Sequence, residues 1–267
     1  MSKAGGSGRG KGRRGSGGGA SRSTSQPGGR RLAVKLHSAK GRPLSSTRWL
    51  ERQLNDPYVA EARRRGYRSR AAFKLAQIDD KCRILKRGAR VIDLGAAPGG
   101  WSQVALERVA LERVALDRIG ASGEDSARRG GTVIGIDLQA IDALAGATFL
   151  EGDFLQEGVP ERLKAALGGM ADVVLSDMAA PATGHTQTDH LRIMALAEAA
   201  YAFAAEVLAP GGSFVAKVFQ GGSERSLLTA LKRDFARVQH VKPPASRAES
   251  AEVYVVASGF RGRQSTE

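Results

Sequence analysis

Short apolar runs alternate with longer amphipathic runs along most of the chain. The apolar runs are rich in β-branched residues and are bounded by Gly, Pro or Asp, which predicts strands. These strands are Arg90–Leu94, Thr132–Asp137, Ala147–Leu150, Asp172–Ser176, Ser213–Val218 and Glu252–Ser258, with a weaker candidate at Arg237–Lys242. Helical periodicity predicts helices at Arg68–Lys81, Trp101–Ile119, Pro160–Leu167, Thr188–Leu208 and Glu224–Asp234.

This alternation predicts an α/β fold in which a mainly parallel sheet is covered by helices on both faces. Sheets of this kind bind their ligands outside the carboxyl ends of the strands. The candidate functional residues are therefore those that directly follow each strand.

The first 43 residues differ from the rest in composition, because 30 of them are Gly, Ser, Arg or Lys. We expect this arm to be disordered, since it has little apolar surface to bury. It could tether RNA or simply keep the protein soluble. A folded domain is predicted for 44–262 and a short tail for 263–267. Within the domain, a five-residue repeat at 104–118 indicates a helix lengthened by duplication.

Positive charge is concentrated at the start of the chain, although the net charge of the whole is +14. Residues 1–50 contain twelve Lys or Arg and no acid, and residues 51–90 contain twelve basic and five acidic residues. Residues 91–267 contain seventeen basic and twenty-two acidic residues. This asymmetry indicates a polyanionic partner that is bound from the N-terminal side.

Composition also disfavours several classes of protein. The single cysteine, Cys82, cannot form an internal disulfide or a cysteine zinc site, which fits a reducing cytoplasm. No apolar run is long enough to span a bilayer, and none resembles a signal peptide. The four histidines are scattered. We therefore expect a cytoplasmic protein with no membrane contact and no bound metal, and nothing demands more than a monomer.

A glycine-rich turn follows the first strand, in the string DLGAAPGGW at 93–101. Glycines let the backbone turn sharply and approach a ligand closely. The spacing matches neither the dinucleotide pattern nor the lysine-bearing phosphate loop. A strand that leads through an acid into a glycine-rich turn is instead expected for an S-adenosylmethionine site, where no phosphate must be bound. Asp137, at the end of the second strand, could accept hydrogen bonds from the hydroxyls of a ribose. Asp153, after the third strand, could accept a hydrogen bond from the amino group of an adenine.

Ionisable residues also stand at the ends of apolar strands. Asp177 follows the fourth strand, Lys217 lies within the fifth, and Glu252 opens the last. A lysine in an apolar strand is unfavourable unless it is paired or lines a cleft. Lys74 lies on the first predicted helix.

Six segments then identify a family. The strings GYRSRAAFKL, VIDLGAAPGGW, GDF, SDMA, LAPGGSFVAKVFQG and SRAESAEVY resemble, in order, the FtsJ family of ribose 2′-O-methyltransferases. The match runs from about Gly66 to Gly259. It implies a Rossmann-like class I methyltransferase fold with a mixed, mainly parallel seven-stranded sheet. Bacterial members of the closest kind methylate a uridine in 23S ribosomal RNA of the large subunit.

The resemblance also assigns roles to residues. It implies a catalytic tetrad, which consists of Lys74, Asp177, Lys217 and Glu252. It implies S-adenosylmethionine contacts at Gly99, Trp101, Asp137, Asp153 and Asp177. Lys217 could abstract the ribose proton or stabilise the oxyanion, and the sequence leaves these roles open. The loop at Ala179–Pro181 departs from the usual Ala-Pro-Asn, which affects substrate contacts more than methyl transfer.

A dense basic cluster adjoins Lys74, and its members are Arg63, Arg64, Arg65, Arg68 and Arg70. We predict that it contacts RNA, with Tyr58 and Tyr67 able to stack on unpaired bases; the alternative is a solvated helix face. Other functions remain open at this point. The same chemistry could act on tRNA, or the protein could be a non-catalytic ribosome-assembly factor. A small-molecule methyltransferase is disfavoured by the basic first third.

Overall fold

The computed structural model describes residues 50–262, except 52, 111–130, 182 and 221–224. The predicted arm at 1–43, the tail at 263–267 and residues 111–118 of the pentad repeat lie outside the described residues. Within the described ranges the helices are α1 (Pro57–Arg65), α2 (Ala71–Cys82), α3 (Gly100–Val109), α4 (Val159–Leu167), α5 (Thr186–Val207) and α6 (Arg225–Asp234). The strands are β1 (Arg90–Leu94), β2 (Thr132–Asp137), β3 (Ala147–Glu151), β4 (Ala171–Ser176), β5 (Leu208–Phe219), β6 (Phe235–Val241) and β7 (Glu252–Phe260).

The strands form one sheet in the order β3-β2-β1-β4-β5-β7-β6. Neighbours from β3 to β5 pair in parallel, whereas β7 runs antiparallel to both β5 and β6. The predicted mixed, mainly parallel sheet of seven strands is confirmed. The direction of the connections reverses between β1 and β4, which is where sheets of this type form a ligand crevice.

Helices cover both faces of the sheet, as predicted, and each face has its own apolar core. Under α4, α5 and α6 the core includes Leu163, Phe203 and Leu231, packed on alternate residues of the strands. Under α2 and α3 it includes Leu75 and Trp101. Burial of strands from both sides explains why they read as nearly continuous apolar runs.

The structure corrects two predicted helices and adds one that was not predicted. The prediction that α3 continues to Ile119 is wrong, because the backbone is already extended at Ala110, with φ −58° and ψ 132°. The start predicted for α2 was three residues early, since Ala71 is its first helical residue. Helix α1 was missed, although the pair Asp56-Pro57 is a helix-start signal: the Asp56 carboxylate accepts a hydrogen bond from the Tyr58 N–H.

Candidate active site

The glycine-rich turn after β1 is held against the ends of two neighbouring strands. The N–H groups of Gly95 and Ala96 both donate to the Ile136 carbonyl at the end of β2, at 2.9 and 3.0 Å. Gly95 has a φ of +76°, and a Cβ there would lie 2.9 Å from the Cα of Met178, after β4. Gly99 has a φ of +104°. These two positions therefore require glycine.

The two acids predicted to hold the cofactor lie at the same edge of the sheet. The Asp137 carboxylate accepts the N–H of Ala97 at 3.0 Å, which ties the end of β2 to the glycine turn. The Asp153 carboxylate accepts the N–H of Leu155 at 2.9 Å. Each acid is followed by an exposed leucine: Leu138 is 69% exposed and Leu155 is 59% exposed. These leucines were not predicted as site residues, although an apolar residue one or two positions after a predicted ligand acid is a usable signal.

The side chain of Trp101 is buried and does not line the crevice. It packs under α2, and its indole N–H donates to the Ala71 carbonyl at 2.9 Å. Its backbone N–H, by contrast, lies in the first turn of α3, where N–H groups have no partner within the helix. A cofactor contact at this position would therefore be made by the backbone.

The four predicted catalytic residues come together at one end of the sheet. Lys74 on α2 contacts both carboxylate oxygens of Glu252, at 2.8 and 2.9 Å. Lys217 donates to the Asp177 main-chain carbonyl at 2.7 Å and to its carboxylate at 3.0 Å. The side chains are largely buried, with exposed fractions between 8 and 16%. The structure thus forms two buried ion pairs from four segments that are far apart in the sequence.

A fifth residue, Tyr254, joins the two ion pairs, and the sequence analysis gave it no role. Its hydroxyl donates to the Asp177 carboxylate at 2.8 Å and accepts from Lys74 at 3.1 Å. Strand periodicity contained a signal, because residues two apart on a strand share a face. Tyr254 therefore had to point to the same side of the sheet as Glu252.

The electrostatics of this cluster keep Asp177 ionised. Burial by itself raises the pKa of this carboxyl, but the cations of Lys217 and Lys74 and the hydrogen bonds from Lys217 and Tyr254 outweigh burial, so the pKa lies below its ordinary value. Burial, with the negative charges of Asp177 and Glu252, raises the pKa of Tyr254 well above 10. Tyr254 therefore stays a neutral hydrogen-bond donor.

Asp93 is a buried acid to which no role was assigned from the sequence. It is fully buried near the end of β1, and one carboxylate oxygen accepts the Ser102 hydroxyl hydrogen bond at 2.7 Å. The other oxygen has no hydrogen-bond partner among the described residues. Burial raises its pKa to about 7; the Ser102 hydroxyl opposes this rise and the nearby Asp177 and Asp137 carboxylates add to it.

The predicted basic cluster divides into two groups. Arg63, Arg64 and Arg65 are exposed on the last turn of α1. Arg64 and Arg65 both pair with Glu61, at 2.5 and 2.7 Å. These ion pairs lie at the surface, where such pairs are weak, so the three guanidinium groups remain accessible.

Arg68 and Arg70 are instead engaged within the protein. Arg68 donates to the carbonyls of Asp142 and Ala143, both at 2.7 Å, and so connects the segment between α1 and α2 to the loop after β2. Arg70 pairs with Asp56 at 3.0 Å and donates to the Ala245 carbonyl. The two nearby tyrosines, Tyr58 and Tyr67, pack with their rings 5.4 Å from that of Phe73.

The described part of the chain has neither a metal-binding cluster nor a membrane-spanning helix. No group of three or more His, Cys, Asp or Glu side chains there is arranged to hold a metal ion. No helix within those ranges is both long and apolar enough to cross a membrane.

A seven-stranded sheet of this order, with a glycine turn and paired acids at its ligand edge, defines a methyltransferase fold. Residues 67–260 match the model of the FtsJ-like methyltransferase family, and the chain belongs to that family. The resemblance stated from the sequence is therefore confirmed.

Three comparisons indicate where the chain lies within the family. It is 61% identical to the ribosomal RNA large subunit methyltransferase E of Paramagnetospirillum magneticum, over 88% of this chain and 91% of that protein. It is 54% identical to the protein of the same name from Rhodospirillum rubrum, over 98% and 95%. A crystal structure of a ribosomal RNA methyltransferase from Plasmodium falciparum is 31% identical, covers 74% of this chain and all of that one, and has a TM-score of 0.59.

Proposed function

We propose that this protein transfers a methyl group from S-adenosylmethionine to the ribose 2′-hydroxyl of a uridine in 23S ribosomal RNA. The observation that carries the proposal is the connected cluster of Lys74, Glu252, Tyr254, Asp177 and Lys217 beside the glycine turn. The names of the relatives support the large ribosomal subunit as the source of the substrate.

The residues at the strand ends fit S-adenosylmethionine. The left-handed glycines at 95 and 99 form a turn that a Cβ would fill. The backbone N–H of Trp101, in the first turn of α3, can donate to the carboxylate of the methionine part. Asp137 can accept the ribose hydroxyls and Asp153 the adenine amino group, between the apolar side chains of Leu138 and Leu155. When bound, this cofactor supplies an electrophilic methyl group on a sulfonium.

The protein's part in the reaction is to align the ribose oxygen and to stabilise the negative charge that develops on it. The Lys217 ammonium directs two hydrogen bonds to Asp177, which leaves one N–H for the 2′-oxygen. Lys74 supplies a second cation, held in place by Glu252 and Tyr254. As the 2′-oxygen attacks the methyl carbon and the C–S bond breaks, the hydroxyl proton passes to the ionised Asp177 carboxylate, so the oxygen has the oxyanion character that the two lysines stabilise.

This arrangement favours one of the two roles that the sequence left open for Lys217. A lysine base must be neutral, but an ionised Asp177 at 3.0 Å stabilises the ammonium form. Lys217 therefore acts as a hydrogen-bond donor that stabilises the oxyanion, and Asp177 fixes its direction. The exposed Arg63, Arg64 and Arg65 are proposed to bind phosphates farther along the RNA.

The test is methyl transfer from radiolabelled S-adenosylmethionine to large subunits, small subunits and tRNA from cells lacking this protein. Wild type should label only large-subunit RNA, at a dinucleotide that resists alkali because its 2′-oxygen is methylated. Lys217→Ala should give no label, and the control Lys232→Ala, an exposed lysine on α6, should behave as wild type. Label confined to tRNA would refute the 23S substrate. No label with wild type, although it binds the cofactor, would refute the enzyme and support an assembly factor.

A further inference from the structure

A polar cleft opens directly beside the Lys74–Glu252 ion pair. Its volume is about 370 Å³, and its lining residues are Arg70, Lys74, Arg247, Glu249, Ser250 and Glu252. Lys74 and Glu252 neutralise each other on one wall, and Ser246 adds a hydrogen bond to Glu252 at 2.7 Å. Two arginines, Arg70 and Arg247, also line the cleft, so it contains guanidinium groups together with the proposed catalytic pair.

These two arginines share a single carboxylate. Asp56, whose side chain is only 7% exposed, lies 3.0 Å from Arg70 and 3.5 Å from Arg247. Two cations share one buried anion, so Asp56 neutralises only one of the two arginines, and the exposed Glu249 is the remaining acid of the cleft. Asp56 is itself held, because its other oxygen caps α1 through the Tyr58 N–H. Asp56 therefore orients both arginines before any ligand arrives, Arg70 more closely than Arg247, which lowers the entropy lost on binding.

The two guanidinium groups differ in the donors they have left. Arg70 donates a hydrogen bond to the Ala245 carbonyl, and its Nε is in ion-pair contact with Asp56 without hydrogen-bond geometry. Arg247 makes one long contact, to Asp56, among the residues that the structure describes, and its side chain is 27% exposed. A guanidinium has five N–H donors in a planar fork that matches the oxygens of a phosphate. Most of the fork of Arg247 is thus available to a ligand in the cleft.

We propose that Arg247, oriented by Asp56 and assisted by Arg70, binds the phosphodiester next to the ribose that is methylated. This inference rests on the proposed function, and it gives that site its substrate anchor. A 2′-hydroxyl is separated from the 3′-phosphate of its own nucleotide by two ring carbons and the 3′-oxygen. A phosphate held at Arg247 therefore places the ribose beside Lys74, which Tyr254 and Asp177 connect to Lys217. Glu249 is exposed in the same cleft, and its negative charge repels the phosphate and weakens its binding.

The test measures RNA binding separately from methyl transfer. Full-length wild type, Arg247→Ala, Arg247→Lys and Glu249→Gln are titrated with a fluorescent single-stranded oligouridylate and with large-subunit RNA, at several salt concentrations. The matched control is Arg237→Ala, because Arg237 is exposed on β6 and pairs with Ser258, six residues along β7 from Glu252. Arg237→Ala removes one positive charge, as Arg247→Ala does, but at the other end of β7 from the cleft.

We expect Arg247→Ala to bind about tenfold more weakly and to lower the slope of log affinity against log salt by about 0.7, the value for one phosphate contact on a single strand. Arg247→Lys should recover part of the affinity, because it keeps the charge but loses the fork. Glu249→Gln should bind RNA more tightly than wild type, because it removes a negative charge from the cleft and keeps Asp56, which orients Arg247. In methyl transfer to large subunits, Arg247→Ala should raise KM about tenfold and change kcat less than about threefold.

Affinity and salt slope equal to wild type in Arg247→Ala would overturn the proposal. If that variant fails to fold, an unchanged affinity in Glu249→Gln would overturn it instead. Failure of the proposed function gives a different result, because wild type would then transfer no methyl group while the difference in RNA affinity between wild type and Arg247→Ala persists.

Discussion

Lys217 and Tyr254 are directly opposite each other across the antiparallel pair of β5 and β7, and both side chains bond to the carboxylate of Asp177. Register places them there, because opposite residues of paired strands point to the same face of a sheet. Tyr254 also accepts a hydrogen bond from Lys74. One phenol hydroxyl thus connects the two ion pairs of the site, and its removal should affect both.

The first prediction concerns this hydroxyl. Tyr254→Phe keeps the buried ring, which packs on Trp101 with centroids 5.5 Å apart, and removes one donor to Asp177 and one acceptor for Lys74. We expect kcat to fall about tenfold and the free energy of unfolding to fall by about 1 kcal/mol. The measurements are single-turnover methyl transfer and urea denaturation. Tyr201→Phe is the control, because the Tyr201 hydroxyl bonds to Asp234, away from the site. Equal kcat values for the two variants would contradict this role of Tyr254.

The second prediction separates stability from catalysis in the Lys74–Glu252 pair. Lys74→Met leaves the Glu252 carboxylate without its cation in a site where both side chains are less than 15% exposed. We expect a loss of about 3 kcal/mol of unfolding free energy. The double variant Lys74→Met with Glu252→Gln should regain most of that stability, since no charge remains unpaired. Methyl transfer should be abolished in Lys74→Met and should remain abolished in the double variant.

Denaturation and activity measured on the same preparations decide this prediction. Glu252→Gln alone completes the double-mutant cycle and gives the coupling energy of the pair. Activity that returns together with stability in the double variant would mean that Lys74 has only a structural role.

The third prediction compares two glycines with similar backbones. Gly95 has a φ of +76° and Gly211 a φ of +84°, but a Cβ at Gly95 would meet the backbone of Met178, whereas one at Gly211 would meet nothing within 4 Å. Gly211→Ala should therefore cost about 1 kcal/mol from backbone strain alone. Gly95→Ala should cost more, and it should weaken binding of S-adenosylmethionine, because the turn must move away from the end of β4.

Calorimetric titration with the cofactor and urea denaturation check this pair. Normal cofactor affinity in Gly95→Ala would show that the turn after β1 is not the cofactor turn. Reduced affinity in Gly211→Ala would show that a general loss of stability, and not the local clash, lowers binding.

The fourth prediction is a pH dependence of stability caused by Asp93. Its pKa is raised from 3.8 to about 7 in the folded protein. Between these values the folded state binds a proton that the unfolded state lacks, so this group makes the free energy of unfolding fall as pH rises. The slope approaches about 1.4 kcal/mol per pH unit and disappears above pH 7, once both states are ionised.

Asp93→Asn should remove this slope, so its stability relative to wild type should rise from pH 5 to pH 8. Urea denaturation of both proteins across that range measures the difference. Glu157→Gln, at an exposed carboxyl, is the control and should run parallel to wild type. A wild-type slope that survives in Asp93→Asn would show that Asp93 is ionised in the folded protein.

Much of this protein could be predicted from its sequence by itself. The bounds of β1 and β2 were predicted residue for residue, because strands buried on both faces give unbroken apolar runs that end at a turn signal. The glycine turn, the acids after β2 and β3 and the four residues of the predicted tetrad were singled out from local strings and from their resemblance to a family, and their roles stay predictions. Local chemistry was sufficient in these cases, since each signal lies within a few adjacent residues.

The tertiary structure alone decided how these segments meet. The strand order and the antiparallel direction of β7 bring Lys217, Tyr254 and Glu252 onto one face, and nothing local to these strands encodes that pairing. The arginines that looked like one basic cluster were separated by packing: Arg68 and Arg70 point to carbonyls and a carboxylate of distant segments, while Arg63 faces solvent. Arg247 lies 191 residues from Asp56 along the chain, yet the fold places the two 3.5 Å apart. Contacts between residues so far apart depend on the whole core that closes them, and so only the folded chain determines them.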